Sequence, residues 1–106
     1  MQQFGVYRNR NVHTRALYPL LLNVQSDLIE DTGTRVVVPM VPVVRGKRPP
    51  EISSLAPIVE INGKAHVLAV PLLAATEVAD LGTREADLST ERARILAALD
   101  LLISGI

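Results

Sequence analysis

The stretch "PIVEINGKAHVLAV", residues 57–70, carries the clearest structural signal in the chain. Two runs rich in apolar and β-branched residues flank the dipeptide Asn62-Gly63. Both of these residues tolerate a positive φ, which the two central positions of a type I′ turn require. The stretch therefore predicts an antiparallel β-hairpin with a two-residue turn.

Further strands are predicted on both sides of this hairpin. They are residues 3–7 (QFGVY), 16–24 (ALYPLLLNV), 35–44 (RVVVPMVPVV) and 74–82 (AATEVADLG), the last ending at Gly82. Proline cannot donate to a ladder, so Pro19 is expected at an edge or bulge. For the same reason, Pro39 and Pro42 are expected to demote the second half of their strand to an edge or bulge. The long apolar run of that strand indicates burial on both faces.

The last twenty residues, "DLSTERARILAALDLLISGI", change period and predict a helix. Ser89 is the expected N-cap, with Glu91 in the first turn. One face carries Ile95, Leu99, Leu102 and Ile106, but Leu96 and Ile103 point elsewhere. From Ile95 onward the helix is apolar nearly all round, which predicts packing against its own sheet and against a second surface.

About five antiparallel strands and one terminal helix predict a single α+β domain over residues 1–106. The helix would cover a strongly bent, barrel-like sheet. Apolar residues make up 48% of the chain and aromatic residues only 3%, so aliphatic side chains must build the core.

Composition excludes several classes of function. The chain has no cysteine, which excludes disulfides, thiol catalysis and cysteine-ligated metals. Neither a signal-like leader nor an apolar run of roughly 20 residues is present, so a soluble, cytoplasmic protein is expected. A net charge of +0 argues against a dedicated nucleic-acid binder.

Positive charge is nevertheless concentrated in two predicted loops, residues 8–15 and 45–48. These hold Arg8, Arg10, Arg15, Arg45, Lys47 and Arg48. The pattern predicts a basic surface for an acidic protein partner, while ordinary solvated loop charge remains the alternative.

Motifs for catalysis or metal binding are absent from the sequence. There is no phosphate-binding loop, and neither His13 nor His66 has a histidine or cysteine at ligand spacing. His66 is predicted to be a surface residue of its strand, on the face of Lys64 and Leu68. Ser53 and Ser54 lack a histidine in their sequence context. No catalytic residue, metal or cofactor is therefore predicted.

Several motifs, in their order along the chain, resemble the CcdB toxins of bacterial toxin–antitoxin modules. These are "QFGVYRN", "LLLNVQSDLIED", "TRVVVPMVPV", "PIVEINGKAHVL", "ADLS" and an apolar final helix ending in "GI". The resemblance spans essentially the whole chain. Its most specific parts are "NVQSDLI", residues 23–29, and the terminal Gly105-Ile106.

The resemblance implies a homodimer of SH3-like barrels, a fold shared with the MazF ribonucleases, with the two C-terminal helices near the two-fold axis. It also implies a toxin that is not an enzyme. Such a toxin binds the A subunit of DNA gyrase and traps the gyrase–DNA complex. A CcdA-like antitoxin, whose disordered C-terminal segment folds on the toxin, removes it and uses it as a transcription co-repressor. DNA would be reached only through gyrase or the antitoxin.

The family's gyrase contact is a terminal Trp-Gly-Ile, matched here by Ser104, Gly105 and Ile106, so the tryptophan is replaced. The other gyrase-binding positions carried over are Leu28, Ile29, Asp100 and Ile103. Gly105 is equally well explained as an ordinary helix stop, with Ile106 folding back onto the preceding turn. The same residues can both end the helix and contact a partner.

Two other functions compete with gyrase poisoning. One is a MazF-like endoribonuclease, which would bring Arg35 together with Ser26 or Thr34 in a groove. The other is a non-toxic dimeric homologue that only binds an antitoxin, an interpretation favoured by Ser104.

Overall fold

The structure, a computed structural model, describes residues 1–29, 32–44 and 54–105. In this part the strands are β1 (Gly5–Asn9), β2 (Leu20–Asn23), β3 (Thr34–Pro42), β4 (Ile58–Ile61), β5 (Lys64–Leu68), β6 (Ala74–Glu77) and β7 (Leu81–Asp87). One α-helix, α1 (Arg92–Ser104), follows them, and single 3₁₀ turns occupy Val70–Leu72, Val78–Asp80 and Ser89–Glu91. The predicted stretches correspond to β1 to β6, whereas β7 was not predicted as a separate strand.

All pairings in the sheet are antiparallel, in the order β4-β5-β3-β2-β1-β7, with β6 pairing β3 beside this path. The sheet curls so that its two ends approach each other. Arg8 of β1 and Glu85 of β7 line one pocket together with Asn62 and Lys64 from the β4–β5 hairpin. A curled antiparallel sheet covered by a C-terminal helix confirms the predicted α+β, SH3-like barrel class.

Strand β3 is the most heavily paired strand, and its prolines do not place it at an edge. Its first half pairs with β6, its second half with β5, and its other side with β2. The Pro39 carbonyl accepts from the Ala69 amide at 2.9 Å, so the Pro39 nitrogen faces that same side. At this point the neighbour of β3 changes from β6 to β5. Pro39 therefore lacks an N–H where no strand is paired with it on that side, and no hydrogen bond of the ladder is lost. The predicted edge or bulge was therefore wrong for Pro39, whereas Pro42, at the end of β3, pairs with His66 of β5 but lies beyond the pairing with β2.

The predicted hairpin is confirmed. Ile61 is paired with Lys64, and the two residues between them are the turn. Asn62 has a φ of 52° and Gly63 a φ of 79°, the left-handed values that a type I′ turn needs.

The core is aliphatic and lies between the curled sheet and α1. Its fully buried side chains include Leu22, Val38, Met40 and Leu68 from the sheet and Ile95 from the helix. The opposite face of the sheet has a smaller buried cluster: Tyr7, Leu21, Val37 and Leu81. Alternate residues of β3 thus enter different clusters, which confirms that this strand is buried on both faces.

The segment before the helix differs from the prediction. Gly82 lies inside β7 rather than ending a strand, and a Cβ there would come within 3.1 Å of the Arg10 side chain. The helix begins at Arg92, and the predicted cap at Ser89 was wrong. The Asp87 carboxylate instead accepts the Ser89 amide at 2.9 Å, which holds the 3₁₀ turn that leads into α1.

The faces of α1 are also less apolar than the sequence suggested. Leu96, Leu99 and Leu102 are half-buried and pack against the protein's own core. The outward face carries small or polar residues, namely Ala93, Ala97, Asp100 and Ser104. Among the large apolar residues of α1, only Ile103 is exposed, with 80% of its surface accessible. The second apolar surface that was predicted along the helix is thus reduced to its C-terminal end.

Two isoleucines of α1 provide a matched test of this orientation. Ile95 is 0% exposed and Ile103 is 80% exposed. We expect Ile95→Ala to lower the free energy of unfolding by about 2–5 kcal/mol, because it leaves a cavity in the core. Ile103→Ala should change it by less than about 0.5 kcal/mol. Urea denaturation measures both values, and equal losses would contradict this placement of the helix.

Candidate functional site

The predicted gyrase-binding residues are surface residues in the structure. Leu28 is 95% exposed and Ile29 is 53% exposed, although both are large and apolar. Ile103, at 80%, is the third such residue, and Asp100, Ser104 and Gly105 are exposed beside it. We call these six residues the tip. Ile106, the seventh predicted residue, lies outside the described residues.

The helix end of the tip is held by backbone geometry. Gly105 has a φ of 73°, and its amide donates to the Leu101 carbonyl at 3.0 Å. A Cβ at this position would meet nothing within 4 Å, so the left-handed backbone, and not lack of space, explains the glycine. The helix-stop interpretation of Gly105 is thus confirmed.

The Ser104 hydroxyl is engaged within the helix. Its Oγ donates to the Asp100 carbonyl at 2.6 Å, one turn earlier. A serine bonded in this way presents little apolar surface and has its one donor occupied. In the position where the family has tryptophan, this chain therefore offers neither a large apolar side chain nor a free donor.

The other half of the tip is a tight turn fixed by the motif "QSD". The Ser26 hydroxyl accepts the Leu28 amide at 3.2 Å, and its carbonyl accepts the Ile29 amide at 3.1 Å. Asp27 accepts the Gln3 amide at 2.8 Å, which attaches the turn to the N-terminal segment. These bonds use the polar residues to shape the turn and leave Leu28 and Ile29 in solvent.

The two halves of the tip are attached to opposite ends of α1. Gln3, which holds Asp27, precedes Phe4, and the Arg92 guanidinium lies 5.5 Å from the centre of the Phe4 ring. Arg92 begins α1, whereas Ile103 lies near its end, about 17 Å further along the axis. No hydrogen bond within residues 1–29, 32–44 and 54–105 joins the two halves directly.

The predicted basic residues of the first loop line one pocket. Arg8, Arg10 and Arg15 surround a volume of about 630 Å³ together with Asn9, Val12, Pro19 and Leu20. Arg8 belongs to β1 rather than to a loop. Arg45, Lys47 and Arg48 fall outside the described residues. We call this pocket the arginine pocket.

The Asn9 side chain forms hydrogen bonds that fix the loop carrying Arg10 and Arg15, a role that the sequence pattern did not predict. Its side chain is 4% exposed, and Nδ2 donates to the Thr14 hydroxyl at 3.0 Å and to the Tyr18 carbonyl at 2.9 Å. Its Oδ1 accepts the Asn11 amide at 2.9 Å. An asparagine at the end of a strand, followed by a polar loop, indicates that its side chain hydrogen-bonds to that loop.

His66 is buried, so its prediction as a surface residue was wrong. It is 6% exposed, and its Nδ1 lies 3.0 Å from the Lys64 carbonyl oxygen. The physical reason is the curl of the sheet, which brings β1 and β7 over the β4–β5 hairpin. His66 and Lys64 line a second pocket of about 210 Å³ with Arg8, Leu20, Ile61, Asn62 and Glu85. We call it the hairpin pocket.

The residues required for the ribonuclease alternative are used locally. Arg35 is 8% exposed, and its Nη1 donates to the Thr34 carbonyl at 2.7 Å. The Ser26 hydroxyl accepts within its own turn. Among the residues described, no three His, Cys, Asp or Glu side chains are grouped to hold a metal. No helix in the same part of the chain is long and apolar enough to cross a membrane.

A comparison with known protein families agrees with the fold and with the order of motifs. The family model described as CcdB protein matches residues 3–105, which is nearly the whole chain. The match includes β1 to β7, α1 and all six tip residues. The chain therefore belongs to the CcdB family, a family of toxins from toxin–antitoxin modules.

Proposed function

We propose that this protein is a cytoplasmic toxin that binds the A subunit of DNA gyrase, traps the gyrase–DNA complex, and is neutralised by a CcdA-like antitoxin. It acts as a dimeric binding protein and not as an enzyme. The observation that carries the proposal is the family match over residues 3–105, combined with the exposure of the apolar residues at the matching tip positions.

Exposed apolar residues at the tip support binding to a protein. Leu28 and Ile103 expose 95% and 80% of their surface, and burying such a side chain in a partner contributes about 1.5–3 kcal/mol. A hydrogen-bonded turn holds the backbone of Leu28, and α1 holds that of Ile103, so little backbone ordering opposes binding. Because the Ser104 hydroxyl is bonded to Asp100, the apolar neighbours and not position 104 provide the anchor in this chain.

Calorimetry with the A subunit of gyrase tests the tip. Ile103→Ala should weaken binding about tenfold, because it removes a buried aliphatic group. Ser104→Trp should strengthen binding at least about tenfold, since it restores a large aromatic anchor. Leu72→Ala is the matched control, because Leu72 is 52% exposed but lies outside the tip.

Deletion of Gly105 and Ile106 completes this series and should abolish binding. If neither the native chain nor Ser104→Trp binds gyrase, the gyrase assignment is wrong. The exchange of tryptophan for an internally bonded serine specifically favours the second candidate in that case, a non-toxic homologue that binds only the antitoxin.

A homodimer is part of the proposal. One chain holds the halves of the tip at opposite ends of α1, so a two-fold axis near α1 is a way to present both to one partner. Light scattering at micromolar concentration should give twice the chain mass of 11.5 kDa. A monomeric mass would contradict the dimer while leaving the family assignment intact.

The arginine pocket is the proposed antitoxin site. Arg8, Arg10 and Arg15 share one concave surface, while the chain as a whole has a net charge of +0. Such local charge selects an acidic segment and speeds its association.

Affinity for the cognate antitoxin should therefore depend on salt and on these arginines. Replacing Arg10 and Arg15 by Gln should weaken binding and flatten its salt dependence, because exposed charges are screened within about 10 Å at 0.1 M salt. The control is Arg94→Gln, since Arg94 of α1 pairs with Glu91 and does not line the pocket. Unchanged affinity in the double variant, measured by calorimetry at low and high salt, would refute this site.

A further inference from the structure

The arginine pocket does not end at β1, because two of its lining residues also line the hairpin pocket. Arg8 and Leu20 belong to both, so the volumes of about 630 Å³ and 210 Å³ adjoin. The combined lining holds the cations Arg8, Arg10, Arg15 and Lys64 against one carboxylate, Glu85. The two adjacent pockets thus form a predominantly basic surface between the β1–β2 loop and the β4–β5 hairpin, which we call the groove.

We infer that the hairpin pocket is a second subsite of this groove, in which Arg8 and Lys64 receive a carboxylate of an acidic peptide segment. This inference rests on the proposed antitoxin site and extends it to residues that no part of the resemblance assigns. An extended acidic segment would contact Arg10 and Arg15 with one carboxylate and the hairpin pocket with another.

His66 forms part of the wall of the subsite. It is 6% exposed, and its Nδ1 lies 3.0 Å from the Lys64 carbonyl oxygen. That carbonyl can only accept, so Nδ1 carries a hydrogen and donates it. The bond attaches the buried ring to the backbone of Lys64, which also lines the pocket.

The charged groups of the pocket come from three strands. Arg8 comes from β1, Lys64 from β5 and Glu85 from β7. Two cations against one carboxylate leave a net positive charge in the lining, which favours an added carboxylate.

The Glu85 carboxylate occupies the position on the Arg8 guanidinium that we assign to the peptide carboxylate. Its Oε1 accepts from the Arg8 Nε and lies 3.1 Å from Nη2, while 67% of the Arg8 side chain remains exposed. A surface pair of this kind contributes at most about 1 kcal/mol, so an incoming carboxylate can replace it. Neutralising Glu85 should therefore improve binding instead of impairing it.

Fluorescence anisotropy with a fluorescein-labelled hexaglutamate peptide tests the subsite on the full chain. For the native protein we expect saturable binding that weakens as salt is added, because exposed charges are screened within about 10 Å at 0.1 M salt.

Two surface variants test the charges without disturbing a buried residue. Lys64→Gln should weaken binding about threefold, and Glu85→Gln should strengthen it about threefold, because each changes one partly screened charge at the subsite. The control for Glu85 is Glu77→Gln, at the exposed end of β6, which should have no effect. Circular dichroism establishes that every variant is folded.

The inference is overturned if hexaglutamate does not bind, or if its binding depends on Arg10 and Arg15 but not on Lys64 and Glu85. It is also overturned if a thymidine oligonucleotide of equal charge binds more tightly, since the occupant would then be a nucleic acid. Failure of the proposed gyrase function appears separately, as the inability of the native chain and of Ser104→Trp to bind gyrase.

Discussion

The architecture depends on the pairing of β3 with three other strands. β2 lies along one side, while β6 and β5 share the other side in succession. A change of partner within one strand forces the sheet to bend, and the bend brings the β4–β5 hairpin toward β1 and β7. Pro39 fits at the point of change because its missing N–H faces the side where neither partner strand is paired with it. Both pockets and both buried clusters follow from this arrangement.

The proposed binding surfaces lie at turns and loops whose backbone N–H and C=O groups are hydrogen-bonded by side chains. Asn9, Ser26, Asp27 and Asp87 each accept or donate to backbone groups of a turn. Their side chains would attract attention as catalytic candidates in the sequence, but in the structure they shape loops. What these loops present to solvent is apolar at the tip and cationic in the groove. Such surfaces are suited to recognising proteins, the first by burial and the second by charge.

The tip and the groove are separate surfaces of one small domain. The tip is built on the "QSD" turn and the C-terminus of α1, and the groove on β1, the loop after it and the β4–β5 hairpin. In the proposed function, the tip binds the target and the groove binds the antitoxin. Mutations in one can then change affinity for one partner without altering the other, because residues that share no contacts have nearly additive effects.

The sequence by itself determined the features that depend on a few neighbouring residues. Asn62-Gly63 specified the hairpin turn, Gly105 the helix stop, and the long apolar run of β3 its burial on both faces, because each preference acts through local backbone geometry or alternation. The order of motifs was sufficient to recognise the family. The tertiary structure alone decided the partners of β3, the existence of β7, the burial of His66 and the meeting of Arg8 with Lys64. These involve residues far apart in the chain, and they follow from how the whole sheet curls, which no local pattern encodes.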